Sequence, residues 1–202
     1  MRIVIDLQGA QSNSRFRGIG RYSLALAQGI IRNRGNHEVI IVLNGMLRES
    51  IPVILEFFAP ILPRDNIRIW YAAGPVLEMR KGTELRRESA ELIREAFIAS
   101  LHPDIVHISS LFEGFGDSTV TSIGRLLPND KAFIQAPVSV SFYDLIPFIN
   151  QVEYFDKKPD YETNYLRKIE DLKKASLLLA ISEFSRAEGI EYLHFPAEKI
   201  VN

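Results

Sequence analysis

The stretch RIVIDLQGAQSNSRFRGIGRYSLALA, Arg2–Ala27, decides how the chain is read. Its first six residues form a continuous apolar run with one acid, the pattern of a strand buried on both faces. A polar loop follows, in which RFRGIGRYS, Arg15–Ser23, has three arginines and two glycines. Ile19, Tyr22, Leu26 and Ile30 then fall at helical spacing, and Gly35 in RNRGN is placed to end that helix as a left-handed cap. Strand, loop and helix in this order suggest the first unit of a parallel α/β sheet.

The rest of the chain repeats the alternation. HEVIIVLNG is a second apolar strand, followed by a helix from about Glu49 to Leu62 and the strand IRIWYA. TELRRESAELIREAFIASL is expected to be a long amphipathic helix with Leu85, Leu92, Ala96 and Phe97 facing inward and its mixed charges facing water. PDIVHIS is another buried strand; its loop SLFEGFGDS leads to a helix that Asp117 or Ser118 can cap. VSVSFYDLIP alternates before turning apolar, which suggests a strand near one side of the sheet. Tyr161, Tyr165, Ile169 and Leu172 mark a further helix, SLLLAIS a short strand, EFSRAEGIEYL a helix, and FPAEKIVN the beginning of another strand. The expected fold is a doubly wound, mostly parallel Rossmann-like sheet with helices on both faces.

Composition excludes several classes. The chain has 202 residues, a formal net charge of -1 and no cysteine. It is therefore not built to neutralise a nucleic-acid backbone, and it has no disulfide, thiolate nucleophile or cysteine-ligated metal. No signal-peptide layout opens it, and its longest apolar block carries Glu56 and two prolines; a cytoplasmic protein is the default expectation. His37, His102, His107 and His194 include no pair at metal-ligand spacing, so no metal site is expected.

Ligands of doubly wound sheets gather at the carboxyl ends of the strands. The loops to weigh are therefore QGAQSNSRFRGIG, SLFEGFGDS, YDLIP and SEFSR. Gly18-x-Gly20-x-x-Ser23 departs from the dinucleotide fingerprint: its glycines do not follow the strand at once, its third small residue is serine, and the second strand ends in Asn44 rather than an acid. What remains is a glycine turn at a helix N-terminus, either a structural turn or an anion site. Asp144 and Glu113 could each be loop-bracing acids or functional ones. Ser182 is expected to cap the last helix, with Ser185 in its first turn. Arg186 is less well explained there, because a cation is unfavourable near a helix N-terminus, and an anionic ligand would offset it.

In this order, RGIGRYSLALA, VHISSLFEGFGD, YDLIPF and LLLAISEFSR resemble the N-terminal domain of GT-B-fold retaining glycosyltransferases of the group 1 family, which includes bacterial mannosyl- and glucosyltransferases. The resemblance spans essentially residues 1–202. It implies the acceptor-side, Rossmann-like half of such an enzyme, with the C-terminal nucleotide-sugar domain absent from this chain and the chain alone inactive. It further implies a GDP- or UDP-hexose donor, a glycan or lipid-linked acceptor in cell-surface polysaccharide synthesis, peripheral membrane contact, no cofactor and no metal. By the same resemblance, Gly18 and Gly20 line the donor diphosphate with Arg21 nearby. Tyr143 and Asp144 sit beside the transferred sugar as catalytic residues, and Glu113, Ser182, Ser185 and Arg186 line the cleft. Many members have histidine where this chain has Tyr143. The competing reading is a non-catalytic sugar- or anion-binding module. Phe57 and Phe58 are adjacent and cannot both face the core squarely, so one of them either packs under a neighbouring loop or helps form an acceptor or membrane-proximal surface.

Overall fold

A computed structural model describes residues 1–126 and 136–202. Seven parallel strands form one sheet: β1 (Arg2–Asp6), β2 (Glu38–Asn44), β3 (Ile67–Trp70), β4 (Ile105–Ile108), β5 (Val138–Phe142), β6 (Leu177–Ala180) and β7 (Ile200–Val201). Their spatial order is β3-β2-β1-β4-β5-β6-β7, every pairing parallel. The helices are α1 (Gly18–Arg32), α2 (Ile51–Phe58), α3 (Glu84–Ser100), α4 (Ile146–Ile149), α5 (Gln151–Tyr154), α6 (Pro159–Leu172) and α7 (Glu183–Leu193). The strand order reverses between β1 and β4, and in such sheets the crevice beyond the carboxyl ends at that reversal is where ligands bind.

Period-two alternation along β1 divides its contacts. Ile5 and Leu7 join a core with Ala27 and Ile31 of α1 and Ile54 and Phe58 of α2. Val4 belongs to a second core with Ala90 and Ile98 of α3. Beyond β4, a third core joins Val140, Phe142 and Leu178 to Tyr165, Ile169 and Leu172 of α6. Phe58 is fully buried and Phe57 is 38% exposed, so the adjacent phenylalanines do divide between core and surface.

Asp6 ends β1 on the α3 side with no exposed surface, and Arg94 of α3, 1% exposed, meets it. The Arg94 Nε donates to Asp6 Oδ2 at 2.6 Å, and its Nη1 donates to the Ser122 carbonyl at 3.1 Å. Gln8 Nε2 reaches the other carboxylate oxygen at 3.1 Å. Gln8 Oε1 accepts from the Val120 amide and from Asn44 Nδ2, tying β2 and the segment after β4 to the end of β1.

This arrangement overturns three expectations. On α3 the buried residues are Ala90, Glu91, Arg94 and Ile98, while Leu85 and Leu92 are 78% and 45% exposed. The helix turns charges inward because Asp6 and the cations Arg125 and Arg167 await them, Glu91 accepting from those two at 2.8 and 2.6 Å. The segment expected to form a helix after Asp117 is non-helical through residue 126, and the remainder of that expected helix, 127–135, lies outside the described residues. Its peptide groups are taken by side chains instead: Gln8 at Val120, Lys168 at Thr121 and Arg94 at Ser122. Finally, β5 is an interior strand, not one near the edge. Its alternating Ser139 and Ser141 face the buried His107, whose Nδ1 and Nε2 lie 2.9 and 3.1 Å from their hydroxyls. Burial pushes that imidazole down to about 4, so it is neutral at physiological pH.

Two smaller differences concern α1 and α2. The side of α1 most deeply buried is Gly20, Ser23, Ala27 and Ile31, one residue round from the expected stripe, because small residues let the helix approach the sheet closely. α2 is confined to Ile51–Phe58, with Pro52 in its first turn.

Arg94→Ala should destabilise the protein by about 3–5 kcal/mol in urea denaturation, because it strands the Asp6 carboxylate in the interior. Asp6→Asn combined with Arg94→Met should recover most of that loss.

Candidate functional site

The four loops named from the sequence leave the same, carboxyl edge of the sheet and are stitched to one another. Tyr143, directly after β5, is the principal link. Its hydroxyl donates to the Ser109 carbonyl at 3.0 Å and lies 3.4 Å from the Ile19 carbonyl and 3.3 Å from Ser23 Oγ. Its ring meets Tyr22 edge-on with centroids 5.7 Å apart. Ser185 Oγ donates to the Tyr143 carbonyl at 2.5 Å. The loop after β5 therefore touches α1, the end of β4 and α7. Burial, followed by lesser effects from its neighbours, pushes the Tyr143 phenol up to about 12.

Glu113 is the second link. Ser110 Oγ donates to its Oε1 at 2.9 Å, and Ser14 Oγ, from the loop after β1, donates to Oε2 at 3.2 Å. Burial raises its pKa, with the nearby Asp117 charge acting in the same direction and the serine hydroxyls opposing. Asp117 fixes the same two loops, accepting from the amides of Asn13 at 2.7 Å and Thr119 at 2.9 Å.

At the N-terminus of α1, Arg17 occupies the cap position and its side chain makes no capping bond. The first amides of this 15-residue helix are thus offered without a side-chain acceptor, at the positive end of its dipole. Gly18 is exposed and a Cβ there would meet nothing within 4 Å. Gly20 is different: a Cβ there would collide with the backbone of Arg15. The loop folds back onto α1 at Gly20, which explains that glycine without any ligand. Arg21 is exposed on the first turn. Arg15 is held by Glu49 at 3.1 Å and by the Gln11 carbonyl at 3.2 Å.

Asp144 is exposed at the mouth of this edge, with Oδ1 accepting from the Ile146 amide at 3.1 Å. Ser182 caps α7 by accepting from the Ser185 amide at 3.1 Å, as expected. Ser185 is itself buried, so it braces Tyr143 and does not line an open wall. Arg186 is accounted for by the protein: Nε donates to the Ile200 carbonyl at 2.9 Å and Nη1 pairs with Glu183 at 2.9 Å. The carboxylate of Glu183 in the same first turn offsets the cation that the sequence left unexplained.

The sequence reading missed Gly9. It follows β1 closely, its amide donates to Ser109 Oγ at 3.0 Å, and a Cβ there would press on Ser23 Oγ, Ser109 Oγ and Ser110 Cβ. The signal was present in QGA, immediately after the strand, but the later glycine pair drew attention away from it. The site is an open edge and not an enclosed chamber. A cavity of about 340 Å³ lies elsewhere, between α3 and the starts of β4 and β5, lined among others by Glu95, Pro103 and Pro137. Among the described residues no group of three or more His, Asp or Glu is placed to hold a metal ion, and no helix is long and apolar enough to cross a membrane.

Comparison with known proteins bears on this geometry. No protein-family model matches the chain. The serotype-specific mannosyltransferase WbdA of Escherichia coli is 33% identical over 203 aligned residues, which cover 100% of this chain and 23% of that protein. A second E. coli protein of the same name is 31% identical over 178 residues, 88% of this chain and 21% of its own length. The chain thus spans less than a quarter of the relatives it matches. Among solved structures, a putative UDP-N-acetylglucosamine 2-epimerase from Listeria monocytogenes superposes with a TM-score of 0.53 at 14% identity, over 98% of this chain and 43% of that one. Anabaena HepE in complex with UDP gives 0.50 at 16% identity, over 99% and 42%. At these identities the likeness shows the fold: a Rossmann-like sheet forming one half of a GT-B architecture. By sequence the chain is a homologue of a mannosyltransferase segment, in agreement with the resemblance of the four loop motifs.

Glu113→Gln tests the electrostatics of this edge. A carboxyl whose folded pKa is raised contributes stability below its unfolded pKa, about 4.3, and loses it as pH rises through the folded value. The variant should therefore gain on the native protein as pH goes from about 4 to about 7 in urea denaturation. A pH-independent difference would contradict the raised pKa.

Proposed function

We propose that residues 1–202 are the acceptor-side domain of a retaining, metal-independent glycosyltransferase. It would move a hexose, mannose or glucose, from a GDP- or UDP-sugar to a glycan or lipid-linked acceptor in cell-surface polysaccharide synthesis. The observation that carries this reading is the match to WbdA along the whole chain. The UDP seen with the HepE neighbour supports a nucleotide-bearing ligand for the fold.

The geometry suggests a division of labour. A departing nucleoside diphosphate develops negative charge, and the uncapped amides of α1 are preorganised donors for it. Gly18 permits close approach of the diphosphate to the backbone, and Arg21 adds a cation on the same turn. The role of Gly20 is to shape the loop, so it acts on the diphosphate only through Gly18 and Ile19. Asp144 stands where the transferred sugar would lie, and Tyr143 holds α1 in register with β4 and β5. Ser182 flanks the opening, whereas Glu113, buried with both carboxylate oxygens held by Ser110 and Ser14, braces the loops behind it. The larger share of nucleotide-sugar contacts would come from a further domain, and without it the donor is not held in reacting geometry. The 202-residue chain alone should then transfer no sugar.

The test is sugar transfer from GDP-mannose and UDP-glucose to a lipid-linked acceptor, comparing the chain alone with the same chain inside a full-length enzyme. Robust turnover by the chain alone would refute the division of labour. In the full-length enzyme, Gly18→Val should lower kcat/KM by about tenfold or more with little change in melting temperature, since its Cβ meets only open space. Gly20→Val should instead unfold the loop and lower stability. Asp144→Asn preserves the bond to the Ile146 amide and should cost about a hundredfold in turnover with little loss of stability. Full activity in both Gly18→Val and Asp144→Asn would overturn the site.

A further inference from the structure

Residues 118–126, which follow the loop after β4, run past α3 and α6 with a backbone bonded to side chains alone. Among the described residues none of their amides or carbonyls meets another backbone group. Asn44 Nδ2 donates to the Ser118 carbonyl at 2.9 Å, and Gln8 serves both the amide and the carbonyl of Val120. Lys168 and Arg94 donate to the carbonyls of Thr121 and Ser122, and Lys174 donates to that of Ile123 at 3.2 Å. Glu95 accepts from the amides of Arg125 and Leu126 at 2.7 and 3.2 Å and from the Ser122 hydroxyl at 2.6 Å.

A segment held in this way comes loose differently from a strand in a ladder. Gln8 and Glu95 each carry several of its bonds, so losing one support opens neighbouring bonds together. Arg94 and Lys168 are buried ions, and an ion that loses a buried partner to water regains hydration, which offsets the bond lost. Burial, with the Arg167 charge acting in the same direction, pushes the Lys168 ammonium down to about 8, so its charge is disfavoured while the segment is seated. The apolar anchors are Val120, in the core under α3, and Ile123, in the core under α6. Few apolar contacts and no backbone ladder are the marks of a unit that opens below the free energy of global unfolding.

The segment is also tied to the loops at the carboxyl edge. The Thr121 hydroxyl donates to the Leu111 carbonyl at 2.7 Å. Asp117 Oδ1 accepts from the Thr119 amide at 2.9 Å while its Oδ2 accepts from the Asn13 amide at 2.7 Å, so one carboxylate holds both the segment and the loop before α1. That loop rests on α1 through the backbone contact of Arg15 with Gly20. We infer that residues 118–126 are a switch element: a strap that unseats as one unit from its frame of side chains while the sheet stays folded, and that in doing so frees loop 13–17 and the N-terminus of α1. Seated, the strap fixes the edge for a ligand; released, it leaves the edge unfixed. The release itself is independent of the glycosyltransferase reading, and only its effect on sugar transfer rests on that reading.

The experiment is native-state amide hydrogen exchange of the 202-residue chain, read by NMR at several low urea concentrations. The amides of Val120 and Arg125 should exchange about a hundredfold or more faster than the slowest amides of β1 and β4, and with a weaker dependence on urea. Exchange at the rate and urea dependence of β1 would show that the strap leaves only with the whole fold, and overturns the switch. Glu95→Ala should speed exchange at Val120, Arg125 and Asn13 by about tenfold and leave the slowest β1 amides unchanged. Asn13 is the decisive probe, because Glu95 makes no bond to its loop. A rise confined to Arg125, an equal rise in β1, or no rise at all overturns the proposal. Lys168→Met, which takes the ammonium from the Thr121 carbonyl, should act on the same three amides; where circular dichroism shows that variant unfolded, Glu95→Ala decides alone.

Discussion

The ion pair between Asp6 and Arg94 occupies the point where the strand order reverses, and much of the molecule is arranged around it. Two opposite charges with almost no exposure contribute little net stability, because desolvation consumes most of their attraction. Their effect is on position. Arg94 brings α3 over β1, and its remaining bond holds Ser122. Gln8, beside the same carboxylate, holds Val120 and Asn44. The segment after β4 is thereby drawn across the sheet as an extended strap, and the loop before it, carrying Glu113, is left at the edge facing α1. Separating the pair would release all three elements together.

The candidate site follows from that anchoring. With β1 and β4 adjacent and their following loops crossed by Asp117 and Glu113, the N-terminus of α1 has one setting. Tyr143 then closes the arrangement from β5. Several residues that the sequence suggested as ligand contacts are supports for this frame: Gly20 through its contact with Arg15, Ser185 through the Tyr143 carbonyl, and Arg186 through the β7 carbonyl. The residues left with open faces are Gly18, Arg21 and Asp144.

The strands were legible because most buried parallel strands write themselves as apolar runs, and all seven lie where the sequence pattern places a strand. The loops were legible as a set because their position after strands follows from the fold class. What escaped was governed by polar atoms buried against one another. On α3 the inward residues include Glu91 and Arg94, so of the apolar stripe Phe97 packs on the core while Leu85 and Leu92 face outward. Val120–Ser122 lost its helix to side chains from three other elements, which no local window contains. Ser139 and Ser141 imitated a solvent-facing stripe because His107 lies opposite.

Tyr143 stands where many members of the resembled family have histidine, and this exchange alters how the position behaves in acid and base. An imidazole has an ordinary pKa of about 6.5, so its charge varies across the physiological range. The phenol of Tyr143, pushed up to about 12, stays neutral and keeps its proton on the Ser109 carbonyl throughout that range. The link between β5, β4 and α1 is therefore a fixed strut whose protonation does not vary with the medium. Changes of acidity that would loosen a histidine at this place leave this strut unaltered.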